Sequence, residues 1–137
     1  PYIIDRIESY GAVVEERFPQ MVRQAMSPQT AALLSGMMVR VVENGHGKRA
    51  GVKGYFVAGK TGTAQIPKKN GLGYDPNATI GSFVGFAPVD DPKFVMLVRI
   101  DNPKDVKFAE STAAPLFGDI AEFLLQYLEV KPTRETK

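Results

Sequence analysis

The chain has 137 residues, the size of one ordinary domain. Its 44% hydrophobic and 23% charged residues exclude a disordered or collagen-like polymer and indicate one buried core. Seventeen Lys and Arg stand against 15 Asp and Glu, a formal charge of +2 that is too small to make nucleic acid or an anionic lipid surface the main partner. With no cysteine and one histidine, His46, there is no basis for a disulfide framework, a thiolate nucleophile or a Cys/His zinc site. No apolar run approaches the ~20 residues that span a bilayer. The chain opens on Pro1 without a signal peptide, which suggests a processed product or a piece of something larger.

Residues 2–18 place two β-favouring runs around the turn Ser9-Tyr-Gly-Ala12, which predicts a hairpin. Ser27-Pro28 is a helix start, because a serine hydroxyl can accept from an orphan amide and proline at the first helical position gives up none. Ala31, Leu34, Met38 and Val41, with Leu33, Met37 and Val42, then recur at three and four, predicting a helix over 28–43 whose Met and Leu stripe belongs to the core. Asn44-Gly45 should cap it. Residues 54–66 read as a Gly-interrupted strand and 67–78 as a polar loop.

The hairpin of residues 80–88 and 93–101 is the clearest element, turning through Pro88-Val-Asp-Asp-Pro92. Turn formation accounts for Asp90 and Asp91 better than acid–base chemistry does. Both strands are apolar on both faces, which places them centrally with helices on each side. Pro115 predicts a helix over 115–128 that buries Leu116, Phe117, Ile120, Phe123, Leu124 and Leu128, followed by a frayed tail from Lys131 to Lys137. The fold expected is α/β of the layered α+β kind, an antiparallel sheet covered by helices. Lys68 and Lys69 read as solvated loop residues. His46, just past the first helix, reads as a surface residue rather than a general base.

Gly54-Tyr-Phe-Val-Ala-Gly59-Lys60-Thr61 formally matches the phosphate-loop pattern. That mechanism needs a helix starting at the Lys and Thr, whereas Gly62 and Gln65-Ile66-Pro67 follow, so nucleotide binding is the least favoured reading. Alternatively, Lys60-Thr61-Gly62-Thr63 forms a strand at the rim of a cleft. There Lys60 supplies positive potential, the hydroxyls bind a carboxylate, glycine admits a substrate backbone, and a strand amide donates to an oxyanion. Taken alone, the tetrapeptide is better read as an edge strand with a solvated lysine and two ordinary β-favouring threonines.

Ala58-Gly-Lys-Thr-Gly-Thr-Ala-Gln65 is followed by Ser82-Phe-Val-Gly-Phe-Ala-Pro88, Asp90-Asp-Pro92, Val98-Arg-Ile-Asp-Asn-Pro103 and Ala113-Ala-Pro-Leu-Phe117. Upstream stand Met26-Ser-Pro-Gln-Thr-Ala31 and Met37-Met-Val-Arg-Val-Val-Glu43. This ordered series resembles the C-terminal part of the transpeptidase domain of a class B penicillin-binding protein, of the division or sporulation type rather than the elongation type. One departure is Phe108-Ala-Glu-Ser-Thr112, where that family often carries a Tyr-Gly-Gly-like stretch.

The resemblance implies a serine D,D-transpeptidase of the penicillin-binding protein and serine β-lactamase-like fold, which cross-links peptidoglycan stem peptides and is acylated by β-lactams without cofactor or metal. Such enzymes use S-x-x-K and S-x-N elements. Ser9, Ser27, Ser35, Ser82 and Ser111 all lack Lys three positions on and Asn two positions on, so the chain resembles a half-site. By the same resemblance, Lys60 and Thr63 are catalytic. Lys60 gives potential near the S-x-N serine, and the Thr63 amide shares the oxyanion hole. Thr61, Gly62 and Thr63 are substrate-binding, the threonines for the carboxylate and Gly62 for clearance.

Residues 1–137 then form one C-terminal segment: 1–26 a hairpin and connection, 27–131 the body, 132–137 a tail. Its expected partners are the upstream half of the domain, stem peptides, β-lactams and other cell-division proteins. The place expected is the extracytoplasmic side of the cell envelope, with the parent anchored by an upstream transmembrane helix. A non-catalytic penicillin- or peptidoglycan-binding module is the alternative.

Overall fold

The computed structural model describes residues 3–135. Its strands are β1 (Arg6–Ser9), β2 (Ala12–Glu16), β3 (Ala58–Pro67), β4 (Tyr74–Ala87) and β5 (Phe94–Asp101), and its helices α1 (Pro28–Asn44) and α2 (Ala113–Tyr127). Short 3-10 turns lie at Lys48–Ala50 and Ala109–Ser111. β1 and β2 pair antiparallel around Tyr10 and Gly11, which both take positive φ as a tight hairpin turn requires. Every described residue from Ile3 to Thr30 is exposed. Tyr2, within the predicted hairpin, and the last two residues of the tail lie outside the described residues.

Helix α1 starts as its sequence predicts: Ser27 Oγ accepts from the Thr30 N–H at 3.1 Å and Pro28 takes the first turn. At the other end the Gly45 and Gly47 N–H groups both donate to Val41 O at 3.0 Å, and Gly45 is extended rather than left-handed. The Met and Leu stripe departs from expectation. Val42 is buried, but Leu33, Leu34 and Met37 face solvent, because among the described residues nothing packs on that side of α1.

The second sheet has the order β3-β4-β5, all antiparallel, with Lys60 opposite Val84 and Val84 opposite Leu97. Residues 54–57 precede the strand rather than forming part of it. The loop expected over 67–78 is largely hairpin, since β3 runs to Pro67 and β4 begins at Tyr74. The turn closes through Lys68 N–H to Gly73 O at 3.0 Å, with Gly71 and Gly73 at positive φ.

Alternation along these strands gives the sheet two faces. Phe83, Val98 and three glycines, Gly59, Gly81 and Gly85, lie on the face that α2 covers, where the Phe83 and Phe117 ring centroids are 4.7 Å apart. The buried residues of α2 are Ala113, Ala114, Phe117, Gly118, Ala121 and Leu125. Small residues thus form the contact stripe, and a Cβ on Gly118 would meet Arg49 O at 2.7 Å. The predicted stripe is corrected accordingly: Leu116, Phe123 and Leu128 are exposed, and the helix begins two residues before Pro115. The opposite face of the sheet, expected to be covered, is open: Val84, Val95 and Leu97 are exposed.

The tail is not frayed through Arg134. The Thr133 and Arg134 N–H groups donate to Gly54 O at 2.9 and 3.2 Å, and the Arg134 guanidinium pairs with Glu43 at 3.1 Å while lying 4.8 Å over the Phe56 ring.

Candidate functional site

β3 is an edge strand, so which of its groups point outward decides what it can bind. The Asn102 N–H donates to Thr79 O at 2.8 Å, which fixes the phase of β4: its odd-numbered residues direct their backbone groups to β5 and its even-numbered ones to β3. Ser82 and Ile80 stand opposite Gly62 and Ala64, so these β3 residues use their backbone in the ladder. The N–H and C=O of Thr61 and Thr63 are left on the free edge. Consistent with this, the Lys60 ammonium reaches round the edge to donate to Thr61 O at 2.9 Å and Thr61 Oγ1 at 3.3 Å.

Side chains sort the same residues differently. Thr61 and Thr63 point to the α2 side of the sheet, where they line an open pocket of about 240 Å³ together with His46, Phe108, Ala109 and Glu110. Gly62 and Lys60 belong to the other face and are exposed. A Cβ on Gly62 would meet only Ser82 Oγ, at 2.7 Å, whose hydroxyl donates to Gly62 O at 3.2 Å. Lys60, Thr61 and Thr63 therefore converge on one edge, offering an ammonium, two hydroxyls and an outward amide to an anionic or carbonyl-bearing ligand. All four sequence-predicted residues lie at this edge.

Four pocket residues, His46, Phe108, Ala109 and Glu110, were not assigned to a site from the sequence. His46 Nδ1 lies 2.5 Å from Glu110 Oε2, joining the loop after α1 to the turn before α2. Phe108 closes one side of the pocket and is itself exposed. A contact across 64 residues has no local sequence signal; the only pointer was the departure from the family pattern at Phe108-Ala-Glu. Among the described residues no group of His, Asp and Glu is arranged to hold a metal. A helix opening at Lys60-Thr61, which phosphate binding needs, is replaced by continuous strand.

Comparisons with known proteins agree on one family. Residues 1–122 match the model of the penicillin binding protein transpeptidase domain. The chain is 42% identical over 122 residues to stage V sporulation protein D of Bacillus subtilis, covering 88% of this chain and 19% of that protein. It is 44% identical over 113 residues to the probable peptidoglycan D,D-transpeptidase PbpC of Pseudomonas aeruginosa, covering 81% and 20%. Among solved structures, penicillin-binding protein 3 of Mycobacterium tuberculosis complexed with ampicillin superposes with a TM-score of 0.78 at 34% identity, over 91% of this chain and 29% of that one. The apo transpeptidase domain of Burkholderia pseudomallei penicillin-binding protein 3 gives 0.71 at 38%, over 80% and 33%. The chain spans about a fifth of the length of the curated relatives it matches.

Proposed function

Because the chain belongs to the penicillin-binding protein transpeptidase family, we propose that it supplies the C-terminal half-site of a peptidoglycan D,D-transpeptidase whose serine nucleophile lies on a segment outside these residues. In this reading the Thr61 and Thr63 hydroxyls hold the carboxylate of a stem peptide or β-lactam. The Thr63 amide, directed off the free edge of β3, donates to the carbonyl oxygen as it becomes an oxyanion, alongside the nucleophile's own amide. Removing one such donor typically costs on the order of 100–1,000-fold in rate. Lys60 adds positive potential at the same edge, favouring the anionic ligand and the deprotonated form of a neighbouring hydroxyl. Gly62 keeps the strand clear for the peptide backbone.

The observation that carries this reading is the coincidence of both threonine side chains in one pocket with both backbone amides on the unpaired edge. The upstream half of the domain is the partner proposed for the open face of the sheet and for the Leu33, Leu34 and Met37 face of α1. Exposed apolar surfaces of this kind mark contact sites. We read the whole protein as one of division or sporulation, working on the extracytoplasmic face of the cell envelope with an anchor upstream; the likeness to stage V sporulation protein D supports the first part of that reading.

Intact-mass detection of a penicilloyl adduct tests the proposal. The full-length protein is expected to gain one adduct at a serine upstream of residue 1, and the 137-residue chain alone none. An adduct on Ser9, Ser27, Ser35, Ser82 or Ser111 would overturn the half-site reading. No adduct on the full-length protein would favour a non-catalytic binding module.

A further inference from the structure

A threonine hydroxyl has one proton to give, and where that proton points is set by what its lone pairs accept. Thr63 Oγ1 accepts from the Ala109 N–H at 3.3 Å. This bond occupies a lone pair on the side of the turn before α2 and leaves the Thr63 O–H free to donate into the pocket. The bond exists only if the turn of residues 107–112 lies against the sheet. From the sheet side it is fastened by Thr79 Oγ1, which donates to Lys107 O at 2.8 Å, and by Lys107 Nζ, which donates to Pro76 O at 3.1 Å, while Thr112 Oγ1 closes the turn itself by donating to Phe108 O at 3.1 Å. Gly81 allows the close approach, since a Cβ there would stand 2.5 Å from Thr112 Oγ1.

From the pocket side, besides the Thr63 bond, the turn is tied by the contact of His46 Nδ1 with Glu110 Oε2 at 2.5 Å. His46 itself is held between Gly45 and Gly47, whose N–H groups both bond Val41 O at the end of α1. Glu110 also supplies the carboxylate of the pocket lining that holds the two threonines. Left unpaired, it would oppose a second carboxylate bound there; bonded to His46, its oxygen is engaged.

We infer that His46 is a positioning residue for the Thr61–Thr63 carboxylate site: it holds Glu110 away from the bound carboxylate and, through Glu110, keeps Ala109 on Thr63 so that the Thr63 hydroxyl donates to the ligand. This rests on the proposed role of the threonines. The pair is exposed, His46 by 83% and Glu110 by 42% of their side chains, so the effect is a tuning one, a few-fold rather than a loss.

The test uses the full-length protein and two probes, benzylpenicillin and its methyl ester, which differ in the carboxylate alone. The readout is the ratio of their acylation rates. His46→Ala is expected to lower the acid-to-ester ratio about two- to fivefold while leaving the ester rate and the melting temperature unchanged. His46→Asn, whose amide nitrogen can donate from nearly the position of Nδ1, is expected to restore it. In a Thr63→Val background His46→Ala is expected to lower the ratio by less than it does on its own, through the Glu110 charge alone. An unchanged ratio in His46→Ala, a parallel fall for both probes, or an additive loss on Thr63→Val would each overturn the inference while leaving the proposed function standing. Should Thr63→Val itself leave the ratio untouched, the carboxylate role of the strand fails, and this inference with it.

Discussion

The two faces of the β3-β4-β5 sheet are built from the same residue types and meet opposite fates. Under α2, Phe83 is 0% and Val98 7% exposed; one position along each strand, Val84 is 42% and Leu97 64% exposed. Hydrophobicity does not separate the faces along β4 and β5, because the hairpin they form carries apolar residues on both sides. What separates them is backbone clearance. Gly59, Gly81 and Gly85 fall on the covered side, where a Cβ would collide with Phe83, Thr112 or Ala58 O, and Gly85 lies beneath the Phe117 ring of α2. The open face presents Val84, Val95 and Leu97 with no helix above it among the described residues. An apolar face left uncovered among the described residues is the kind of surface that a partner contact covers.

The sharpest way to break this contrast is to truncate one large side chain on each face. Phe83→Ala removes a fully buried ring that packs against Phe117 and closes over Gly59. It is expected to cost about 3–5 kcal/mol, enough to unfold much of the isolated chain. Leu97→Ser is expected to change stability by less than about 0.5 kcal/mol in the isolated chain and to improve its solubility. In the full-length protein the same change should cost about 1.5–3 kcal/mol, as for any buried leucine. Urea unfolding of both variants in both proteins measures this. A Leu97→Ser cost that is equal in the two would mean that nothing covers the open face.

A smaller effect is expected when clearance itself is removed from the covered face. In Gly59→Ala the new Cβ would stand 2.3 Å from Phe83 Cζ, inside contact with a ring that has no free volume to retreat into. Overpacking of this kind costs typically about 1–3 kcal/mol. Thermal unfolding reads it directly, and partial rescue by Phe83→Leu would locate the strain on that ring.

The two faces also mark how far the sequence was legible. Local signals were read correctly: the Ser27-Pro28 start of α1, the Tyr10-Gly11 turn, and the antiparallel pairing of the two strands joined at Pro88–Pro92. What failed was the assignment of burial. Leu33 and Met37 on α1 and Leu116 and Phe123 on α2 look like core by hydrophobicity, yet are exposed, while Ala114, Gly118 and Ala121 carry the buried contact. Periodicity identifies an apolar face but cannot say which neighbour meets it. The Lys60–Thr63 edge was legible because its chemistry is contiguous in sequence. The His46–Glu110 tie was not, since nothing local links residues 64 positions apart.

Gly62 separates clearance for folding from clearance for a ligand, and the smallest structural effect is expected there. A Cβ at this position meets only the Ser82 hydroxyl, the far end of a side chain that can rotate away at the expense of one 3.2 Å hydrogen bond. Gly62→Ala should therefore lower stability by no more than about 1 kcal/mol, the ordinary worth of such a bond. Its φ lies outside the left-handed range, so backbone strain adds nothing. If Gly62 serves the approach of a peptide to β3, β-lactam acylation of full-length Gly62→Ala should fall well beyond what that small loss of stability explains. Gly59→Ala would show the reverse pattern, a large loss of stability with acylation falling only in proportion to the folded fraction. Measuring melting temperature and acylation rate on both variants decides whether two glycines three residues apart on one strand answer to the core and to the ligand respectively.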